Sequence, residues 1–224
     1  MKIKTKEAIK KYIPKWILTK TRPIYKNFTK HTIEDGIKDK NWYNEAYQGT
    51  LAYHIHYTKS NYYFLWTVVL DRIKRYKYKS IIDLGCGPGQ FGSLLFDNGI
   101  EKYLGVDFSD EAVKLAESVC PSFEFKMLDL TKSDILSTYV YDCVVTMEFL
   151  EHVEFDLDIL KQVKQGTKLF ATVPNFPYVS HVRHFITKEE VSSRYAHLFS
   201  ELTVDSFLEN DSGKKFFLIE GTKS

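Results

Sequence analysis

From residue 78 onward, short apolar runs alternate with segments whose apolar positions recur at helical spacing. YKSIIDLG, KYLGVDF, FEFKMLDL, YDCVVTME and KLFATVPN read as strands. Between them, Gly89 to Asp97, SDEAVKLAESV and Leu157 to Val163 read as helices. SDEAVKLAESV opens on a Ser/Asp cap with acids in its first turn, where the helix dipole favours negative charge. A further helix starts at Thr187, with Glu190 three residues on as in a capping box. LTVDSFLE and KKFFLIEG read as two final strands. Upstream, Asn61 to Tyr76 reads as a helix through Leu65, Val68, Val69 and Ile73. Apolar strands alternating with helices predict an α/β fold whose parallel sheet is covered on both faces. In such sheets ligands bind beyond the carboxyl ends of the strands. Those ends are Asp83 to Gly89, Asp107, Asp129, Met147 to His152, and Pro174 onward.

Composition supports one such domain. The 224 residues are 44% apolar and 15% aromatic, enough for a large core and accessory segments, and unlike a disordered chain. No repeat and no flexible linker interrupts the chain. The net charge of +2 does not suit a general nucleic-acid coat, and it hides an asymmetry. Residues 1 to 40 carry +8 and the remainder −6. The expected division is a basic, aromatic-rich N-terminal helical arm or cap over residues 1–76, followed by the α/β domain over 77–224. The arm reads as a solvated face, or as a surface for something anionic. Ile3, Ile9, Ile13, Trp16 and Ile17 would form one side of a short helix, interrupted near Pro14. No apolar stretch there is long enough for a signal peptide or a membrane span. Cys86, Cys120 and Cys143 are odd in number and unrelated in spacing, so a reduced, cytoplasmic setting is expected rather than a disulfide framework.

The chemistry begins at Asp83-Leu84-Gly85-Cys86-Gly87-Pro88-Gly89-Gln90. Its glycines let backbone approach a ligand at a strand-to-helix turn. A nicotinamide-type fingerprint would have Gly or Ala where Gln90 stands, and Asp83 would repel a pyrophosphate. Asp83 suits a cationic ligand. Asp107, about 20 residues after the glycines, suits two ribose hydroxyls. Asp129 suits an exocyclic amine. A ribose, an adenine amine and a positive tail together describe S-adenosylmethionine (SAM).

IIDLGCGPGQFG, YLGVDFS, FKMLDL and YDCVVTMEFLEHV follow one another in an order and spacing that resembles the class I SAM-dependent methyltransferases, over roughly residues 55 to 224. The resemblance implies a Rossmann-like fold with a seven-stranded, mostly parallel sheet and helices on both faces, preceded here by a helical cap. It implies that Gly85, Cys86 and Gly87 line the methionine and ribose, with Gln90 beside them. It places the ribose on Asp107 and adenine against Phe108, with the adenine edge on Asp129 and the Leu130 amide. Met147 and Glu148 would lie near the methionine amine. His56, Tyr57 and Ser60 would form a lid, or else pack in an aromatic cluster.

Two segments offer catalytic groups: Glu148-Phe149-Leu150-Glu151-His152, and His181-Val182-Arg183-His184 after Pro174. A helical turn would bring Glu148, Glu151 and His152 to one side. With a later histidine, this pattern looks like the metal set of the Hen1-type RNA 2′-O-methyltransferases, which implies Mg²⁺ or Mn²⁺ on Glu148, Glu151, His152 and His184. The ubiquinone-biosynthesis O-methyltransferases have a similar Glu-His-Val element. The alternative is that His152 acts as a base without metal. His152, His184, Glu151, His181 and Arg183 are therefore the catalytic set. Arg183 would grip an anionic acceptor, or else form a surface ion pair.

The run WYNEAY, HYTKSNYYFLW, DLGCGPGQF, EFLEHVEFDLDIL, VPNF and HVRHF resembles small methyltransferases of bacterial capsule and surface-polysaccharide biosynthesis. That implies O-methylation of a small anionic, sugar or nucleotide-linked acceptor, with methyl phosphoramidate decoration as one form. RNA 2′-O-methylation is the runner-up, although no RNA-recognition module is present, so nucleic acid is not the expected partner. A catalytically silent SAM-binding protein is the non-enzyme alternative. The aromatic residues 42 to 66 would serve as a lid, a homodimer face, or both.

Overall fold

A computed structural model describes residues 36–209 and 213–224. The chain divides into Met1–Glu34 and Asp35–Ser224, and the second unit is described here. The expected helix around Pro14 and most of the basic arm lie outside the described residues. So does any contact they make.

Seven strands form one sheet in the order β3-β2-β1-β4-β5-β7-β6. They are β1 (Ser80–Leu84), β2 (Lys102–Asp107), β3 (Glu124–Met127), β4 (Cys143–Met147), β5 (Lys168–Pro174), β6 (Phe199–Leu208) and β7 (Lys215–Lys223). β1 to β5 are parallel, and β7 inserts antiparallel between β5 and β6. The order reverses at β1, with β2 on one side and β4 on the other, which opens a crevice at the carboxyl ends of these strands.

Alternation along the strands builds two cores. Ile81, Tyr103, Phe125, Val145 and Phe170 face one layer; Ile82, Leu104, Val106, Val144 and Leu169 face the other. The first layer is covered by α2 (Tyr63–Tyr76), α3 (Gln90–Asp97) and α4 (Asp110–Val119). The second is covered by α5 (Ile135–Thr138), α6 (Asp156–Lys161) and α7 (Lys188–Tyr195). Helices on both faces follow from strands that are apolar on both faces. A helix α1 (Lys40–Gly49) precedes them.

α2 differs from its expected place in the N-terminal cap. Leu65, Trp66, Val69, Leu70 and Ile73 are buried against the sheet, so the helix belongs to the domain core. It is tied to β5 and β7 by Glu220, which lies 3.0 Å from Arg72 and 2.9 Å from Lys168 and accepts from the Tyr76 hydroxyl. Helix starts fall close to their caps. Ser109 Oγ accepts from the Ala112 amide, and Thr187 Oγ1 from the Glu190 amide. The reciprocal half of the expected box is shifted: the Glu190 carboxylate accepts from Ile186, one residue before the cap. β3 is shorter than expected, and pairing stops at Met127, so Asp129 stands in the following turn.

The first turn of α6 carries Asp156, fully buried. Its two oxygens take a bidentate pair from Arg194 at 2.7 and 2.8 Å and the Tyr195 hydroxyl at 2.8 Å. Arg183 Nη2 lies 3.3 Å away. Removing one member of such a cluster strands the others away from water. Asp156→Ala is expected to cost about 3–5 kcal/mol of stability, read as a drop in the urea midpoint.

Candidate active site

The Gly-rich turn is shaped by its neighbours. Gly85 (φ 75°) and Gly87 (φ 53°) hold left-handed backbone that a side chain would strain, and a Cβ on Gly85 would overlap the Phe149 ring. Asp107, buried at the end of β2, accepts from the Gly87 amide at 3.0 Å and the Ser109 amide at 2.9 Å. These bonds join the turn to the N-terminus of α4. Burial pushes Asp107 up to about 6 despite them. Asp83 is also buried; one oxygen accepts from the Tyr103 hydroxyl at 2.6 Å, and the other has no partner. Cys86 is buried beside them, a packed thiol.

Above the turn lies α1, whose aromatic residues fall in the stretch 42 to 66 expected to serve as a lid or a homodimer face, although no individual helix was expected there. Its Asp39 cap accepts from Trp42, and its Asn44 bridges Ser109 (2.6 Å) and Asp110 (3.0 Å). A Cβ on Gly87 would lie 3.4 Å from the Tyr47 hydroxyl. Tyr47 and Tyr53 rings are 4.6 Å apart, and Tyr43 contacts Phe108 edge-on at 5.2 Å and His152 at 6.0 Å. The Tyr43 hydroxyl is buried without a hydrogen bond. The signal was present in WYNEAY, where positions 43 and 47 share one helix face. Gln90 fastens this roof: its side-chain amide donates to the carbonyls of Ala52 and Ile55.

The expected lid residues lie elsewhere. His56 is exposed and bonds to Thr58, and Tyr57 is buried with its hydroxyl on Asp97 at 2.7 Å. Asp97 ends α3, at the far end of that helix from the Gly-rich turn. Ser60 accepts from the Tyr62 amide within its own turn. The reason is packing: Tyr57 fills the first core layer, so the roof is made by α1 and residues 52–55.

After β4 the chain does not continue as a helix. Glu148 takes a left-handed conformation (φ 52°), its amide donates to Thr172 Oγ1, and a 3-10 turn spans Leu150–His152. Glu148 and Glu151 still interact, through this turn and not through a helical face. Glu151 is fully buried, and neither of its oxygens has a hydrogen-bond partner; one Glu148 oxygen is in the same state. Burial pushes Glu148 up to about 8, with Glu209 adding to the rise. Burial also raises Glu151 well above the usual carboxylate range, with Glu148 adding to the rise and Arg183 opposing it. His152 Nδ1 bonds the Ser180 carbonyl at 3.0 Å, and His181 Nδ1 bonds the Phe176 carbonyl at 3.2 Å. Burial holds both imidazoles down at about 4, so both are neutral at pH 7. The 3.7 Å approach of His152 to Glu151 is therefore not an ion pair. With Nδ1 donating, each Nε2 presents a lone pair. Glu151, His152 and His181 each offer a donor atom within 4.8 Å of the others.

This corrects the expected metal set. His181 occupies the place expected of His184, which is exposed. The bond between the Val182 amide and the Glu151 carbonyl fixes this register. Arg183 is corrected as well. Its Nη1 donates to the carbonyls of Leu150 and Val153, and its Nη2 to Glu154 at 3.2 Å beside Asp156. It holds the catalytic turn from beneath and is not aimed at an acceptor. Asp129 accepts from Thr131 and pairs with Lys132 at 2.9 Å; Leu130 is buried in the second core layer, and Met147 is half-buried at the end of β4.

A protein family described as a methyltransferase domain matches residues 76–183, which run from the end of α2 to Arg183. These residues, just under half of the chain, are similar to a methyltransferase domain. The sheet and its helices have the class I methyltransferase fold, as in magnesium protoporphyrin IX methyltransferase from Synechocystis PCC 6803 with bound SAM. That structure matches with TM-score 0.62 and 13% identity over 84% of this chain and 99% of its own. The N-methyltransferase NodS from Bradyrhizobium japonicum WM9, bound to S-adenosylhomocysteine (SAH), matches with TM-score 0.58 and 15% identity over 72% and 87%. A putative methyltransferase of Invertebrate iridescent virus 6, 235L, is 27% identical over 131 residues, 54% of this chain. The chain covers 47% of that viral protein's length.

The buried acids of this site set a pH dependence. A carboxyl whose folded value is raised stabilises the fold below its unfolded value and loses that contribution as pH rises through the folded one. The unfolded histidines lose their remaining protons between about pH 6.5 and 7.5, which offsets part of the loss there; above that range they are neutral in both states and drop out. Without divalent cation, the urea midpoint is expected to fall between pH 6.5 and 8, and Glu148→Gln to flatten part of that fall.

Proposed function

We propose that the protein transfers the methyl group of SAM to a hydroxyl oxygen of a small acceptor, a sugar or nucleotide-linked sugar of the kind built into surface polysaccharides. The observation that carries the reading is His152. Its ring is neutral and held by Ser180, so that its Nε2 lone pair is presented beside Glu151 at the end of β4. The polysaccharide setting rests on the resemblance of the WYNEAY to HVRHF segments. Arg183 is bonded internally and does not serve as a partner for negative charge on the acceptor.

The turn residues fit SAM. Gly85 and Gly87 bring bare backbone to the ligand, Asp107 offers carboxylate oxygens beside it for ribose hydroxyls, and Asp83 keeps an unpaired oxygen for a cationic tail. Phe108, with Asp129 and the Leu130 amide, would border the adenine. Bound SAM supplies an activated methyl on a sulfonium, so orientation carries much of the rate. The chain's own residues align the hydroxyl and remove its proton. His152 Nε2 accepts that proton, with Nδ1–H fixed on Ser180 so the ring cannot turn away. Tyr43 and Tyr47 exclude water from above.

A divalent cation, Mg²⁺ or Mn²⁺, fits this chemistry. Glu151 is buried with both oxygens unpartnered, and both histidines are oriented by backbone carbonyls in the manner of metal-ligating imidazoles. Glu151, His152 and His181 would hold it, with Glu148 adjacent; it would lower the pKa of the acceptor hydroxyl, and His152, its Nε2 then engaged as a ligand, would no longer serve as the base.

Titration calorimetry tests the cofactor: SAM is expected to bind, and Asp107→Ala to weaken it by about 10- to 100-fold. Mass spectrometry over a panel of nucleotide-linked sugars is expected to show one hydroxyl methylated, with His152→Ala losing turnover and keeping SAM affinity. No heat with SAM would overturn the reading. For the cation, Mn²⁺ at a hundredfold excess over its dissociation constant is expected to raise the melting temperature by about 5–10 °C. Glu151→Gln should abolish that rise while leaving the metal-free protein at least as stable, because a buried unpaired acid is removed.

A further inference from the structure

Tyr103 lies on β2, one strand away from the Gly-rich turn, and is 3% exposed. Its hydroxyl donates to Asp83 at 2.6 Å. The ring is fixed on three sides. Phe123 stacks on it at 5.0 Å, Phe125 meets it edge-on at 5.8 Å, and a Cβ on Gly92 would come within 3.1 Å of it. Gly92 thus leaves room for the phenol beneath α3. Asp83 immediately precedes the turn and shares its register with Gly105 on β2 and Val145 on β4. Among the described residues no Lys, Arg or His forms an ion pair with Asp83. The titratable groups facing it are Tyr103 and Asp107 from β2 and Cys86 from the turn. Each of them is neutral or negative. One Asp83 oxygen is buried with no partner at all.

A buried carboxylate without a cation is unfavourable, and one hydrogen bond is the main thing that favours its charged form. We propose that Tyr103 is a positioning residue of the cofactor site. Its hydroxyl holds one Asp83 oxygen so that the other, charged, meets the cationic amino-acid end of the cofactor. This rests on the SAM reading above. Burial pushes Asp83 up to about 7 and the Tyr103 bond opposes that rise, so the carboxyl is poised near neutrality before the cofactor arrives. Binding a cation beside it then releases a proton.

The test is calorimetry with SAM and SAH at pH 6 to 9 on wild type, Tyr103→Phe and Asp83→Asn. Loss of the hydrogen bond raises the Asp83 value by about one unit, so Tyr103→Phe is expected to bind SAM about five- to tenfold more weakly at pH 7. It should regain most of that affinity by pH 9. Asp83→Asn is expected to be weak at every pH. Recovery for both SAM and SAH assigns the contact to the α-ammonium; recovery for SAM alone assigns it to the sulfonium. Wild type that binds SAM, with Tyr103→Phe unchanged or weakened equally at all pH values, overturns the inference. Wild type that fails to bind SAM overturns the underlying reading instead.

Discussion

The buried Asp156 carboxylate is the contact on which the site depends. It binds Arg194 and Tyr195 of α7 and lies beside Arg183. Arg183 in turn donates to three carbonyls of the turn that carries Glu151 and His152. One charge thus locks together the turn after β4 and a segment after β5, about thirty residues apart in sequence. His181 reaches His152, at 4.8 Å between ring centres, because Arg183 two residues later is anchored beneath that turn. A buried pair of this kind adds little stability over a well-packed apolar core, but it tolerates few alternative arrangements.

The anchoring lets the protein hold groups that water would otherwise neutralise. Glu148 and Glu151 are kept from solvent and in no ion pair with Lys or Arg among the described residues, although Arg183 lies near enough to Glu151 to oppose its rise; Asp83 is likewise buried without an ion pair. The histidines are held neutral by burial. A site with unpartnered acids and uncharged bases favours positive charge brought in by ligands. The sulfonium cofactor and the divalent cation proposed above would meet that requirement with separate residues.

Much of this was legible in the chain. The Gly-rich turn, Asp107, and the Glu151-His152 pair depend on local order along strands and turns, and each lies at a carboxyl strand end as expected. Residues judged by chemistry alone fared differently. Arg183 looked like an anion clamp because a guanidinium between histidines has that capacity, yet carbonyls left open by the 3-10 turn claim its donors. His184 looked like a ligand, yet the pairing of Val182 with Glu151 sets a register that turns His181 inward. Tyr57 was expected in a lid or in an aromatic cluster and takes the second place, while Tyr43 and Tyr47, from the aromatic stretch also expected to cover the site, lie over the turn.

The sequence by itself determined the order of strands and helices, the turn at the head of the sheet and the charged residues at its edge, because these follow from short-range periodicity and glycine placement. Only the tertiary structure decided which of two histidines faces the site, what the arginine binds, and which tyrosines cover the crevice. Those choices are made between segments distant in the chain, by competition among buried polar groups for a limited set of partners.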